Sequence, residues 1–281
     1  MFDRFRTRQQ TRLHFSLAQF KTFVFYCTIV PLMSKTIFNC QRNDSIDERF
    51  MWLLRFANLK QIKEFLAKNS QSLCLNYPTV NLKTPLTATI DRGDPQILTL
   101  LLEKNSMALN DTLTQPCGRT ALMYASFVSR NPEILQALLK KGADLWKTDI
   151  RGWTCLRYAI VGERLQNVTF LLDSGAFVNR KDFLGRTPLM TSVYLSNLDI
   201  LSLLLDRGAE INIRDNAGFT ALQIGILSRK RDAVIALIER GSDENVVTPS
   251  TRASIDELCT TSMPGILRCL ERKSKSKSNI L

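Results

Sequence analysis

The chain has 281 residues, 44% of them hydrophobic, with 38 lysines and arginines against 26 aspartates and glutamates and a formal net charge of +12. That length suits one elongated domain or two compact ones, and the apolar content suffices for a core, which excludes wholesale disorder. The one histidine, His14, lies in an Arg-rich leader, so a paired-His zinc helix, a Cys/His finger and a Ser-His-Asp relay outside that leader are excluded as well.

Residues 1–46 read as a basic leader, expected to be poorly ordered. Residues 1–42 hold seven bases and one acid, Asp3. Phe23 to Met33 is an eleven-residue, mostly apolar run, too short for a bilayer span of about 20 residues. Three readings stay open. A secretory signal has this basic-then-apolar order, but no clean small-residue cleavage site follows. A mitochondrial-type leader or membrane-surface segment would use the alternation of bases and aromatics. The plain reading, which we prefer, is an extension upstream of Met33. Seven scattered cysteines without a C-x-x-C pair point to a reduced compartment. The expected location is cytoplasmic, nuclear or both, with an organelle- or membrane-directed leader as the alternative.

A first apolar unit spans residues 47–69, with Phe50, Trp52-Leu53-Leu54, Phe56-Ala57, Ile62 and Phe65-Leu66. It reads as a degenerate terminal copy of the repeat that follows. Gly142, Gly175, Gly208 and Gly241 are spaced 33 residues apart, and a Thr-x-Leu triplet recurs at Thr84, Thr120, Thr154, Thr187 and Thr220. Thr120 to Gly142 is 22 residues where the later intervals are 21, which predicts one residue inserted between two helices.

Each position of the unit has a physical reason. The threonine caps a helix, and proline in the first turn (Pro85, Pro188) gives up an N–H that would have no partner there. Small residues five positions on (Ala125, Ala159, Ser192, Gly225) let a second helix approach. That helix carries the pairs Leu101-Leu102, Leu138-Leu139, Leu171-Leu172 and Leu204-Leu205, the predicted inter-repeat core. The glycine after each pair suits a left-handed helix end. An extended run such as Ile211-Asn212-Ile213 is expected next, then a turn at Asp215-Asn216-Ala217-Gly218. Such a unit cannot bury its stripe alone, so copies should stack along one continuous apolar seam.

The pattern resembles the ankyrin-repeat family, whose period is 33 and whose signature is Asp, Gly, then Thr-Pro-Leu-His-x-Ala. The matches are Asp182, Gly185, Thr187-Pro188-Leu189 and Ser192; Asp215, Gly218, Thr220-Ala221-Leu222 and Gly225; Asp149, Gly152, Thr154-Cys155-Leu156 and Ala159; Gly118, Thr120-Ala121-Leu122 and Ala125; and Thr84-Pro85-Leu86 with Thr89. The motif's His is replaced throughout, by Thr87, Met123, Arg157, Met190 and Gln223, so the hydrogen bonding at that corner must differ. The resemblance implies an all-α ankyrin-repeat solenoid over residues 47–272: stacked helix-turn-helix units with hairpin-like fingers, about five clear repeats between two degenerate caps. The C-terminal cap is a shortened unit opening at Thr248-Pro249, followed by a basic Lys/Ser tail at 273–281.

Residues 85–267 hold twenty bases and twenty acids, so the body is neutral and no specific nucleic-acid partner is expected. No phosphate-binding glycine loop is present, and no cofactor, metal or enzymatic activity is expected. The resemblance implies a protein-interaction scaffold or adaptor, expected as a monomer, with protein partners on the finger tips and concave face. Trp153, Phe183, Leu184, Arg186, Tyr194 and Phe219 are the candidate binding residues, because aromatic and Arg side chains on consecutive repeats have the composition of interaction hot spots. Packing of these side chains between repeats is the competing reading. Ser254-Ile255-Asp256-Glu257-Leu258-Cys259 is similar to the opening of a box that recruits an elongin-type adaptor, so a substrate-recognition subunit of a ubiquitin ligase is the alternative function. Leader contact with a membrane is the minor alternative.

Overall fold

The computed structural model describes residues 44–69, 84–104, 109–111 and 118–242. Most of the leader, the unit opened by Thr248, the Ser254–Cys259 box and the Lys/Ser tail lie outside the described residues. Six helix pairs follow one another: α1 Asp44–Phe56 with α2 Leu59–Asn69, α3 Pro85–Arg92 with α4 Pro95–Lys104, α5 Ala121–Val128 with α6 Pro132–Lys140, α7 Cys155–Val161 with α8 Leu165–Asp173, α9 Pro188–Leu195 with α10 Leu198–Asp206, and α11 Ala221–Leu227 with α12 Arg231–Glu239. The first helices of successive pairs pack side by side in one layer and the second helices in another. No strand occurs among the described residues. This is the all-α repeat solenoid that the sequence pattern implies. Helix α1 begins three residues ahead of the boundary placed from sequence.

Every first helix from α3 onward starts at its threonine. The hydroxyls of Thr84, Thr120, Thr154, Thr187 and Thr220 each accept the backbone N–H three residues on, at 3.2–3.4 Å. Each satisfies a donor that the helix itself leaves unpaired. The second helices of the later repeats end at Gly142, Gly175, Gly208 and Gly241, with φ between +82° and +92°, a region closed to residues with a Cβ. The chain then departs from expectation: residues 211 and 212 form a turn, not an extended run. The fingers are closed by single bonds between their arms, as in Asp149 N–H to Trp153 O and Asp182 N–H to Arg186 O.

The apolar core lies between the two helix layers. Leu138, Leu171 and Leu204, the first members of their leucine pairs, are fully buried, while Leu139, Leu172 and Leu205 pack at its margin. The core divides along α4. Ile97 and Leu101 join Phe50, Leu54, Ile62 and Leu66 of the first unit, whereas Leu98 and Leu102 join the larger cluster that runs to α12. The expected single seam is therefore two clusters sharing one helix. Trp52 and Phe56 of the first unit, which the sequence reading grouped with its core, are exposed and lie against each other, centroids 5.6 Å apart.

The inserted residue falls between α5 and α6, as the spacing predicts. In the three later pairs the turn between paired helices passes through a left-handed residue, Glu163, Ser196 or Arg229. Here Ser129 is extended and Asn131 caps α6 by accepting the Glu133 N–H at 3.0 Å. The buried Asn167 amide of α8 donates to Ser126 O and Ser129 O at 3.2 and 2.8 Å, satisfying carbonyls that the wider turn leaves open.

Close approach of neighbouring first helices sets a steric limit at Gly162, where an added Cβ would lie 2.5 Å from Phe127 O. Its backbone is ordinary, φ −76°, so alanine there would otherwise stabilise by about 0.4–1 kcal/mol through the unfolded chain. The clash is with backbone and reverses that sign. We predict that Gly162→Ala destabilises the protein by about 1–3 kcal/mol, read as a lowered urea midpoint; an unchanged or raised midpoint would show that α5 and α7 are not packed this closely.

Candidate functional site

Each finger is organised by an aspartate. The Asp149 Oδ1 accepts the N–H groups of Arg151 and Trp153, both at 2.8 Å. Asp182 does the same for Leu184 and Arg186 at 3.0 and 2.8 Å, and Asp215 for Ala217 and Phe219 at 3.0 and 2.8 Å. Asp followed by glycine three positions on is thus a turn whose donors are satisfied by one carboxylate oxygen. Adjacent fingers are joined by backbone: Phe183 N–H donates to Arg151 O at 3.1 Å, and Asn216 N–H to Leu184 O at 3.0 Å. The tips are therefore fixed relative to one another.

The corner where the family motif places histidine shows how each replacement acts. Met123 and Met190 accept the N–H of their capping threonine on sulfur at 3.5 Å, and Gln223 accepts it on Oε1 at 3.0 Å. A guanidinium has donors only, so Arg157 cannot close that box. It reaches the next finger instead, pairing with Asp182 at 2.9 Å with both side chains almost wholly buried. Burial disfavours its charge and lowers its pKa to about 9, Asp182 offsetting only part of that effect.

This diverted arginine explains Trp153. The sequence reading puts Trp153 on the exposed surface; it is only 3% exposed. The guanidiniums of Arg151 and Arg157 lie over its ring, 3.9 and 4.6 Å from the centroid, and Tyr158 meets it edge-on at 5.5 Å. Burial, together with the Asp149 charge, pushes the Tyr158 hydroxyl well above its ordinary pKa. It stays protonated and donates to Asp149 Oδ2 at 2.9 Å. Packing between repeats thus accounts for Trp153. Cys155 beneath it is a buried thiol, pushed up to about 12 by desolvation and donating to Leu145 O, and is not poised as a nucleophile. Among the described residues no group of three His, Cys, Asp or Glu side chains is placed to hold a metal ion, and no helix is long and apolar enough to cross a membrane.

The other five candidates divide. Phe183 and Leu184 are exposed at the second finger tip, 67% and 58%. Arg186, Tyr194 and Phe219 are half-buried, Arg186 pairing with Asp182 at 3.2 Å. The residues that sequence reasoning missed are Trp146 and Phe177, exposed at the bases of the fingers, with rings 6.3 Å apart. Of the nine exposed large hydrophobic residues among the described ones, five lie on these two fingers: Trp146, Ile150, Phe177, Phe183 and Leu184. The apolar surface is thus concentrated on one pair of repeats.

The Arg157–Asp182 pair fixes those fingers. We predict that Asp182→Ala, which strands a buried guanidinium and opens the turn, destabilises by about 3–5 kcal/mol. Arg157→Met, which supplies the residue of the flanking repeats, should cost less than half as much. Chemical denaturation checks both; equal losses would mean that the pair is not what holds the fingers together.

With the geometry established, its likenesses can be stated. The family model described as ankyrin repeats, three copies, matches residues 50–149 and 178–248, more than half of the chain. Residues 150–177 fall outside the match although α7 repeats the threonine cap of its neighbours; this is the unit bearing Trp153, Arg157 and Tyr158. No curated protein matches the chain. Among solved structures it is similar to the ankyrin repeat domain of Bcl-3, described as a unique member of the IkappaB protein family, with 25% identity, 78% of this chain and 97% of that one covered, and a TM-score of 0.66. The chain belongs to the ankyrin-repeat family, whose repeats serve as protein-binding modules.

Proposed function

We propose that the chain is a non-enzymatic scaffold or adaptor that holds a protein partner on the fingers at residues 143–153 and 176–186. The carrying observation is the concentration of exposed Trp146, Ile150, Phe177, Phe183 and Leu184 on two adjacent fingers, while the third finger presents Asn212, Asn216 and Ala217 at its turns. Isolated exposed apolar residues are ordinary; a cluster with aromatic and Arg members is the composition of an interface centre. Backbone bonds between the fingers make the surface preorganised, which lowers the cost of ordering it on binding. Arg186, Tyr194 and Phe219 extend it toward the first-helix layer, with Trp153 acting from beneath as a support.

A photo-crosslinking residue placed singly at Trp146, Phe177 or Phe183, and for comparison at Leu165 or Leu198 on the second helices, tests the assignment. We predict discrete adducts with protein from the finger positions and none from the helix positions. Adducts of equal yield from both sets, or from the helices alone, would remove the fingers as the partner surface.

A further inference from the structure

Two junctions between repeats are closed by an asparagine. The Asn110 Oδ1 accepts the Asp144 N–H at 2.7 Å, and its amide donates to Gly142 O at 3.0 Å. The Asn179 Oδ1 accepts the Glu210 N–H at 2.9 Å, and its amide donates to the Glu210 carboxylate at 3.1 Å. At the junction between them the positions matching asparagine and acid are Trp146, four residues after Gly142, and Phe177, two after Gly175. A polar clasp is thus replaced by an aromatic pair, and both rings remain more than half exposed. Folding does not require the exchange, because the flanking junctions close without it.

Beside the two rings lies a cavity of about 70 Å³, lined by Leu145, Trp146, Thr154, Ala176, Phe177 and Arg180. It is about half the roughly 150 Å³ that takes up a benzene ring, so it admits the branched end of an aliphatic side chain but no aromatic ring. Arg180 at its edge is exposed, and its side chain has no hydrogen bond or ion pair among the described residues. Nearby cations are also without carboxylate partners: Lys147 donates to Asn110 O, Lys181 to Arg214 O and Arg214 to Gly218 O.

We propose that this cleft is a subsite for an acidic segment of a protein partner, with an aliphatic side chain seated in the cavity against Trp146 and Phe177 and a neighbouring carboxylate on the Arg180 guanidinium. The inference rests on the fingers being the partner surface and gives that partner its chemistry. The arginine fork matches a carboxylate bidentately, and an aromatic-walled cleft beside cations that have no carboxylate partner selects an apolar residue next to an acid. The chain's own ends do not have this chemistry, since residues 1–42 and 268–281 are both strongly basic. A nucleic acid would need a basic face tracking its backbone, which a body with equal numbers of bases and acids does not offer.

The test is selection of short random peptides displayed on phage against the full-length protein, followed by fluorescence anisotropy of the selected peptides and of a single-stranded oligonucleotide. The expected peptides are net negative, with Leu, Ile or Val beside Asp or Glu. Arg180→Gln should weaken their binding about tenfold or more, and the loss should shrink as salt is raised. Trp146→Asn with Phe177→Asp restores the clasp of the flanking junctions, so this variant folds, and it should lose binding to at least the same extent. Neutral or basic peptides, no selected peptide, tighter binding of the oligonucleotide, or binding indifferent to these substitutions would overturn the proposal. Peptides that depend on Phe183 and Leu184 but not on Trp146, Phe177 or Arg180 would overturn it while leaving the finger surface in place. Absence of finger crosslinks would instead fail the surface itself.

Discussion

A pair of short helices has apolar stripes on two sides, and only another pair on each side can cover both. Every other feature of this chain follows from keeping successive pairs close enough to do so. The small residues Ala125, Ala159, Ser192 and Gly225 set the spacing; at Gly225 a Cβ would press on Val234 and Val193. With the helices at that spacing, the fingers come within hydrogen-bond distance, and their tips are bonded to one another through backbone. The same spacing brings side chains of one repeat onto the one before: Tyr124 leans back to donate to Asp91, and Tyr158 lies beneath Arg119 of the preceding finger.

On this scaffold the junctions differ in chemistry more than in shape. The motif corner uses sulfur acceptors twice, an amide once, and at Arg157 an ion pair to the next finger. The outer junction uses asparagine clasps on either side of an aromatic pair. Both departures fall around the same repeat, the one that the family pattern passes over. Rigidity and recognition are thereby supplied by adjacent substitutions: Arg157 and Trp153 lock two fingers together from below, and Trp146 and Phe177 open a cleft between their bases.

Much of this was legible in the sequence because the interactions are local. A threonine caps three residues ahead, a glycine sits two residues past the end of a helix, and one extra residue between Thr120 and Gly142 widens a single turn. Trp153 was misplaced because its burial depends on Asp182, a partner 25 residues from Arg157, and on arginine lacking an acceptor. That signal was present: at a corner otherwise filled by Thr, Met and Gln, an arginine has to bond elsewhere. Trp146 lies at a finger base and not at a tip, and the asparagines at positions 179 and 212 make it the exception in its series. The cleft itself was not legible, since two residues 31 apart meet there only once the repeats are stacked.

The account stands on the fingers being locked from repeat to repeat, so that their exposed apolar side chains form a fixed platform. Native-state hydrogen exchange of the Phe183 and Asn216 amides, the two donors that bond finger to finger, measures this directly. If the fingers are part of the stack, both amides should exchange only with the larger openings that release the α7–α11 helices. Exchange of both at the rate of unprotected loop amides, while those helices stay protected, would show that the fingers move independently and would contradict the account.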